Sequence, residues 1–170
     1  MKSFVPHIVQ YQGSKRKLAT QILRHMPVRF ERLIEPFSGM AAISIAVACK
    51  NMANSFIIND INSDIISILQ TAVEAPQLLI DSYTELWNEQ FSYVGGTESH
   101  YYKVRNDFNK ENKKPSTMLY LLERCVKGSV RYNSEGDFNQ SPDRRRNGTS
   151  PSSLAPNVEA ISNILKNKVT

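Results

Sequence analysis

The sequence predicts an α/β fold: a partial nucleotide-binding-type parallel sheet, first strands only, followed by a helical region that carries a β-hairpin. Three stretches predict it. Leu33–Ala42 reads as strand, tight turn and helix start, with Leu33 and Ile34 feeding a turn of Pro36, Ser38 and Gly39, and small residues (Ala41, Ala42, Ser44, Ala46) opening a helical run. Such a turn offers backbone N–H groups and the positive end of a helix dipole to a ligand, and Gly39 permits close approach where a Cβ would block it. Some 20 residues on, Phe56-Ile57-Ile58 reads as a second strand ending in Asn59-Asp60, where nucleotide-binding α/β folds hold ribose hydroxyls. An ordinary βαβ turn with a surface aspartate fits the same two features. The third stretch, Gly128–Asn139, sets two short extended pieces around Asn-Ser-Glu-Gly, a hairpin pattern.

The elements follow in order. Ile8–Tyr11 is short and extended; Gln12-Gly13-Ser14 is a turn, and Ser14 caps a helix from Lys15 to His25 that Pro27 ends. Strand one covers 32–35, a small-residue helix about 40–51, and strand two 55–58. Asn62 or Ser63 caps the next helix, whose Ile65, Ile66, Ile68, Leu69 and Val73 recur at helical spacing. Pro76 interrupts it, and a further amphipathic helix runs to about Gln90. Gly95-Gly96 is the clearest internal boundary. A helix over 98–109, a polar linker from Lys110 to Pro115 and an apolar helix over 116–126 come next. Residues 140–156, rich in Ser, Pro, Asn and Arg, read as loop, and Asn157 caps a last helix over 158–167. Three regions result: 1–94 around the strands, 95–156 around the hairpin, and 157–170 as a returning helix.

At 170 residues with 41% hydrophobic content, the chain can bury a real core. No apolar run approaches the roughly 20 residues that span a bilayer, and the N-terminus shows no secretory apolar segment. Cys49 and Cys125 are isolated and lack metal-ligand spacing, so unpaired thiols in a reducing cytoplasm, and no metal, are expected. The net charge of +5 is uneven. Residues 1–40 carry seven Lys/Arg and two acids, 41–100 one Lys and seven acids, and 101–146 eleven Lys/Arg and six acids. Two basic regions around an acidic middle suit a polyanion; a solvated mixed surface is the plainer reading. Lys127, Arg131, Arg144, Arg145 and Arg146 are interleaved with Asn133, Asn139 and Gln140, side chains that can meet phosphates or read base edges. An exposed turn with a charged loop is the alternative there, and Tyr132 and Phe138 favour core packing over base stacking.

Taken together these pieces resemble the Dam-type (class α) DNA adenine-N6 methyltransferases. Tyr11-Gln-Gly13-Ser-Lys15 is similar to the family's N-terminal cofactor motif. Glu35-Pro36-Phe37-Ser38-Gly39 is similar to its loop under S-adenosylmethionine, and Asn59-Asp60-Ile-Asn62 to its strand-two end. Tyr102–Asn109 and Arg131–Asn139 resemble its DNA-recognition region. The resemblance implies a Rossmann-like S-adenosylmethionine-dependent sheet, double-stranded DNA as partner, a cytoplasmic setting and a restriction-modification context. It places Tyr11, Gly13, Lys15, Glu35–Gly39 and Asp60 at the cofactor, with Lys15 near its carboxylate and Asp60 on the ribose. It places Gln10, Arg105, Arg131, Asn133 and Asn139 at DNA, and the charge pattern adds Lys127 and Arg144–Arg146 as DNA-contacting candidates. After Asn139 the chain departs from the GATC-reading members, so no target sequence follows.

One motif of the family is missing. Its chemistry uses Asp/Asn-Pro-Pro-Tyr/Phe, and no Pro-Pro occurs in these 170 residues, so no catalytic residue is assigned. Strand one, central in such sheets, would then keep one edge unpaired. The expectation is a split enzyme whose partner subunit supplies the catalytic half. A DNA-binding relic, a fragment of a single-chain enzyme and an unrelated nucleotide-binding protein are the competing expectations.

Overall fold

The computed structural model describes residues 5–110 and 113–170; residues 111–112 of the expected linker lie outside them. Two parallel strands, β1 (Phe30–Glu35) and β2 (Ala53–Ile58), form the sheet, with Leu33 opposite Phe56, Ile34 opposite Ile57 and Glu35 opposite Ile58. Helix α2 (Ala42–Cys49) is the crossover between them and packs on the sheet; its small residues bring the backbone close, and Ser44 through Ala48 are buried. This is the mixed α/β architecture expected, with both strands two residues longer at the start than the sequence pattern indicates.

Five helices complete the body: α3 (Ser63–Glu74), α4 (Pro76–Ser92), α5 (Gly96–Lys110), α6 (Pro115–Arg124) and α7 (Pro151–Leu165). Asn62 caps α3 as expected, its Oδ1 accepting the N–H of Asp64 (3.1 Å) and Ile65 (3.2 Å). Helix α6 packs against α3, α4 and α5 and is buried from Ser116 to Arg124, so one apolar core runs from β2 to the hairpin residue Phe138.

Three expectations change. The helix from Lys15 to His25 is instead a 3₁₀ turn, Lys15–Lys17, followed by a short α1 (Ala19–Leu23); Ser14 still caps the turn, accepting the Arg16 N–H at 3.3 Å. The last helix begins at Pro151, not after Asn157. Ser150 and Pro151 form a helix start, where a missing N–H costs nothing, and Leu154, Val158, Ile161 and Leu165 line the buried face. Asn157 sits inside the helix, its Nδ2 donating to the Ser153 carbonyl (3.0 Å) and its Oδ1 accepting the His7 N–H. Finally, Lys168–Thr170 run parallel to β2: the Phe56 N–H donates to the Lys168 carbonyl (2.7 Å) and the Thr170 N–H to the Phe56 carbonyl (2.9 Å). Thus β2 is flanked on both edges, while among the described residues β1 pairs with β2 alone. The sheet face carrying Ile34 (60% exposed) lies open. No helix among the described residues is long and apolar enough to cross a membrane.

Of the glycines, Gly128 leaves the least room for a side chain, against the N-terminal stretch. Gly128 has φ +56°, and a Cβ there would lie 1.7 Å from the Gln10 carbonyl oxygen; the Gln12 N–H donates to the Gly128 carbonyl at 3.1 Å. We predict that Gly128→Ala costs about 3 kcal/mol or more, from overpacking and left-handed strain together. A lowered urea midpoint checks it; an unchanged midpoint shows that the two stretches do not meet.

Candidate functional site

A cavity of about 200 Å³ lies at the C-terminal end of the two strands. It is walled by Tyr11, Gly13, Lys15, Glu35, Phe37, Ser38, Gly39 and Asp60 together with Gln12, Ser14, Met40 and Ala42. Of the residues expected at a cofactor, only Pro36 is not on its wall. Three segments distant in sequence therefore converge on one space.

Local chemistry explains the convergence. Asp60 links two loops: its Oδ2 accepts the Gly39 N–H at 2.8 Å and its Oδ1 the Asn62 N–H at 3.0 Å. A carboxylate has about four acceptor sites, so each oxygen retains one for a ligand. The ring of Tyr11 covers Gly39, where a Cβ would meet Tyr11 Cε1 at 3.0 Å, and Gly39 has φ +51°. Burial and the nearby Asp60 charge raise the Tyr11 phenol pKa, so it stays protonated. Glu35 takes the capping role that Ala41 cannot: its Oε2 accepts the Ser44 backbone N–H (2.9 Å) and the Ser44 hydroxyl. Lys15 folds over the mouth, Nζ donating to the Gly13 carbonyl at 2.9 Å. Phe37 on the cavity wall (88% exposed) and Ile61 next to Asp60 in sequence (98% exposed) are bare apolar groups.

The Tyr132 side chain ties the hairpin to the start of α3. Tyr132 donates its hydroxyl to Asp64 Oδ2 at 2.6 Å and approaches the Asn62 cap at 3.4 Å; burial, then Asp64, raise its pKa. The hairpin forms as expected, with Tyr132 bridged to Phe138, the Asn139 N–H donating to the Arg131 carbonyl, and both aromatics packed inward.

The residues expected at DNA divide into two groups. Gln10, Lys127, Arg131 and Asn139 are exposed, and among the described residues their side chains have no hydrogen-bond partner. The others are engaged inside the chain. Asn133 Oδ1 accepts the N–H of Glu135 (3.0 Å) and Asp137 (2.8 Å), building the hairpin turn. Arg105 donates to the Gln140 carbonyl and lies 5.0 Å from the Tyr102 ring centroid. Arg144 pairs with Glu98 (2.8 Å), Arg145 grips both oxygens of Asp143 (2.9 Å each), and Arg146 reaches the Cys125 carbonyl. Hydrogen bonds from Arg145 hold the Asp143 carboxyl down to about 2, against 3.8 ordinarily.

Sequence reasoning missed the anchor of this loop. Arg124, 2% exposed, donates to the Arg146 carbonyl and Asn147 Oδ1 (2.8 Å each) and to the Thr97 carbonyl, while Glu123 accepts from Thr149. A Glu-Arg pair inside an otherwise apolar helix was the available signal. Among the described residues no cluster of metal-ligating side chains occurs.

Two outcomes test these contacts. Tyr132→Phe is expected to destabilise by about 2 kcal/mol, the range for a hydrogen bond to a charged group, and to raise hydrogen exchange in 131–139 more than elsewhere; uniform exchange counts against the link. For Asp143, a pKa depressed by folding means stabilisation that is complete above 3.8 and lost as pH falls through about 2. Its carboxyl carbon should titrate near 2 by NMR; an ordinary midpoint shows that the Arg145 pair does not persist in solution.

Comparison with known proteins fits this geometry. A family model described as D12 class N6 adenine-specific DNA methyltransferase matches residues 11–170. The Type II methyltransferase M.MjaIII of Methanocaldococcus jannaschii is 29% identical over 176 residues, covering 96% of this chain and 60% of that protein. The DNA adenine methylase of Escherichia coli (strain K12) is 31% identical over 134 residues, covering 77% of this chain and 45% of that protein. The Type II methyltransferase M.FokI of Planomicrobium okeanokoites is 27% identical over 149 residues, covering 88% and 22%. The chain spans 60% or less of the length of these curated relatives. With its motif residues gathered on one cavity and the family match running through almost its whole length, this chain belongs to the D12 class N6 adenine-specific DNA methyltransferases.

Proposed function

We propose that the chain supplies the cofactor-binding and target-recognition parts of a site-specific DNA adenine-N6 methyltransferase that uses S-adenosylmethionine in the cytoplasm. The convergence of Tyr11, Gly13, Lys15, Glu35, Phe37, Ser38, Gly39 and Asp60 on one cavity carries this reading. Those residues fit the cofactor. Gly39 leaves backbone open to it, the Lys15 ammonium suits its carboxylate, and the two remaining acceptor sites of Asp60 suit ribose hydroxyls. The bound cofactor would supply a methyl group made electrophilic by a sulfonium. The chain's part is to orient it and exclude water.

Residues 1–94 then serve the cofactor, 95–156 the DNA, and 157–170 lead back to the sheet. Gln10, Lys127, Arg131 and Asn139 have free side chains to reach a duplex. Arg144 is exposed, and exchanging its surface partner Glu98 for a phosphate costs it little, whereas Arg145 would have to leave the buried Asp143. Asn133, Arg105 and Arg146 shape the hairpin and loop that present the others.

The adenine N6 amine is conjugated with its ring and is a poor nucleophile, so its N–H groups need acceptors held in line with the methyl donor. In this family Asp/Asn-Pro-Pro-Tyr/Phe provides them, and these 170 residues contain no Pro-Pro. A complementary segment bearing that motif completes the enzyme by pairing with the open edge of β1. A second polypeptide is the arrangement proposed, and further residues of the same protein are the alternative that the experiment separates.

The experiment is co-expression with the neighbouring reading frame, intact-mass analysis of what co-purifies, and labelled-methyl transfer to adenine-containing duplex. Transfer is expected only with the complement, and Asp60→Ala should weaken cofactor binding while leaving DNA affinity nearly intact. Arg131→Ala should weaken specific binding by roughly 1–3 kcal/mol if it reads a base. Full transfer by these 170 residues alone overturns the split. Failure to bind S-adenosylmethionine even with the complement overturns the cofactor assignment.

A further inference from the structure

A second cavity, about 440 Å³, opens between the N-terminal stretch and the start of α7, and it shares no lining residue with the cofactor cavity. Glu123 forms part of its wall. That side chain is 6% exposed; its Oε2 accepts the Thr149 N–H (3.1 Å) and hydroxyl (2.6 Å), and its Oε1 has no partner among the described residues. Two guanidinium groups also line the cavity. Arg16 Nη1 contacts His7 Nδ1 at 2.8 Å, and Arg146 keeps a buried Nε without a hydrogen bond, 3.7 Å from Asp143. Gln10 and Asn157 add amides.

These charges narrow the occupant. A simple anion would be opposed by Glu123, a simple cation by Arg16 and Arg146, and an apolar molecule would leave Glu123 Oε1 and Arg146 Nε without partners. The volume falls in the range of small-ligand sites. What fits is a planar group rich in N–H donors joined to an anion. The place points the same way: Gln10 lines the cavity, and its carbonyl abuts Gly128 at the root of the recognition hairpin. We propose that this cavity binds a single nucleotide whose base carries an exocyclic amine, the amine on Glu123 and the phosphate between Arg16 and Arg146. Burial raises the Glu123 pKa, and the Thr149 hydrogen bonds and the Arg146 charge oppose that rise. The source is either a free mononucleotide or one extruded from bound DNA, the second resting on the DNA reading above. Methyl transfer at the cofactor cavity is not required by either.

The test uses the full chain with saturating S-adenosylhomocysteine to occupy the cofactor cavity. Each of dAMP, dCMP, dGMP and dTMP is titrated by calorimetry, and the methyl signals of Ile8 and Leu154, both on the cavity wall, are followed by NMR. The amine-bearing nucleotides should bind about tenfold tighter than dTMP, the discrimination of one good base contact. They should shift both methyl signals, and Glu123→Gln should reduce the preference to about twofold. Arg16→Ala, a partly exposed rim residue, should weaken all four and serves if the Glu123 variant does not fold. For the extruded source, a duplex containing 2-aminopurine should brighten on binding, and Glu123→Gln should abolish the rise. Brightening without mononucleotide binding assigns the site to extruded DNA nucleotides. Equal affinity for all four, shifts confined to the cofactor cavity, or neither binding nor brightening overturns the proposal. Failure of S-adenosylhomocysteine to bind counts against the cofactor assignment alone, because the Ile8 and Leu154 shifts report this cavity independently.

Discussion

The Asp60 carboxylate is the point on which the arrangement turns. One oxygen holds the Gly39 N–H on the loop after β1, and the other holds the Asn62 N–H at the start of α3. Charge-assisted bonds of this kind are shorter and stronger than neutral ones, and here they fix the distance between the ends of two parallel strands. The turn after β1 has no side-chain cap of its own, since Ala41 lies in the left-handed region with nothing to donate or accept. Glu35 and Asp60 supply from outside what the turn lacks. Removing either carboxylate would leave buried N–H groups unpaired, and that penalty exceeds the value of the bond itself.

From Asn62 the constraint passes to the basic region. Tyr132 sits against the same helix start, so the hairpin is referenced to α3 through the side chains of Asn62 and Asp64. A second reference comes through Gly128 and Gln10, where backbone meets backbone with no room for a side chain. Two rigid contacts define the placement of a hairpin better than a flexible connection could. Buried Arg124 and Glu123 do the same for residues 146–149, at the cost of desolvating two charges. The two Arg124 terminal nitrogens offset part of that cost by donating to chain oxygens, while its Nε and Glu123 Oε1 have no partner among the described residues.

The sheet is finished on one side and open on the other. Lys168–Thr170 cover the outer edge of β2, whereas β1 presents an unpaired edge and the exposed Ile34 among the described residues. Unpaired strand edges of apolar sequence invite partners.

The amino-acid sequence by itself determined the local features: both strands, the Gly39 turn, the Asn62 cap, the hairpin turn and the family motifs, because each depends on neighbours a few residues away. It misread the start of α7, since Ser and Pro are common to loops and to helix first turns, and only the tertiary packing of Leu154 and Val158 distinguishes the two. Three adjacent arginines read as a free basic patch; long-range partners, Glu98 and the Cys125 carbonyl among them, tie them into the loop. Such pairings, like the approach of Gln10 to Gly128 and the walling of Glu123 into a cavity, join residues tens to more than a hundred positions apart. No sequence period encodes them. They were decided when helix packing brought those segments together and each buried polar group had to find whatever partner the fold left within reach.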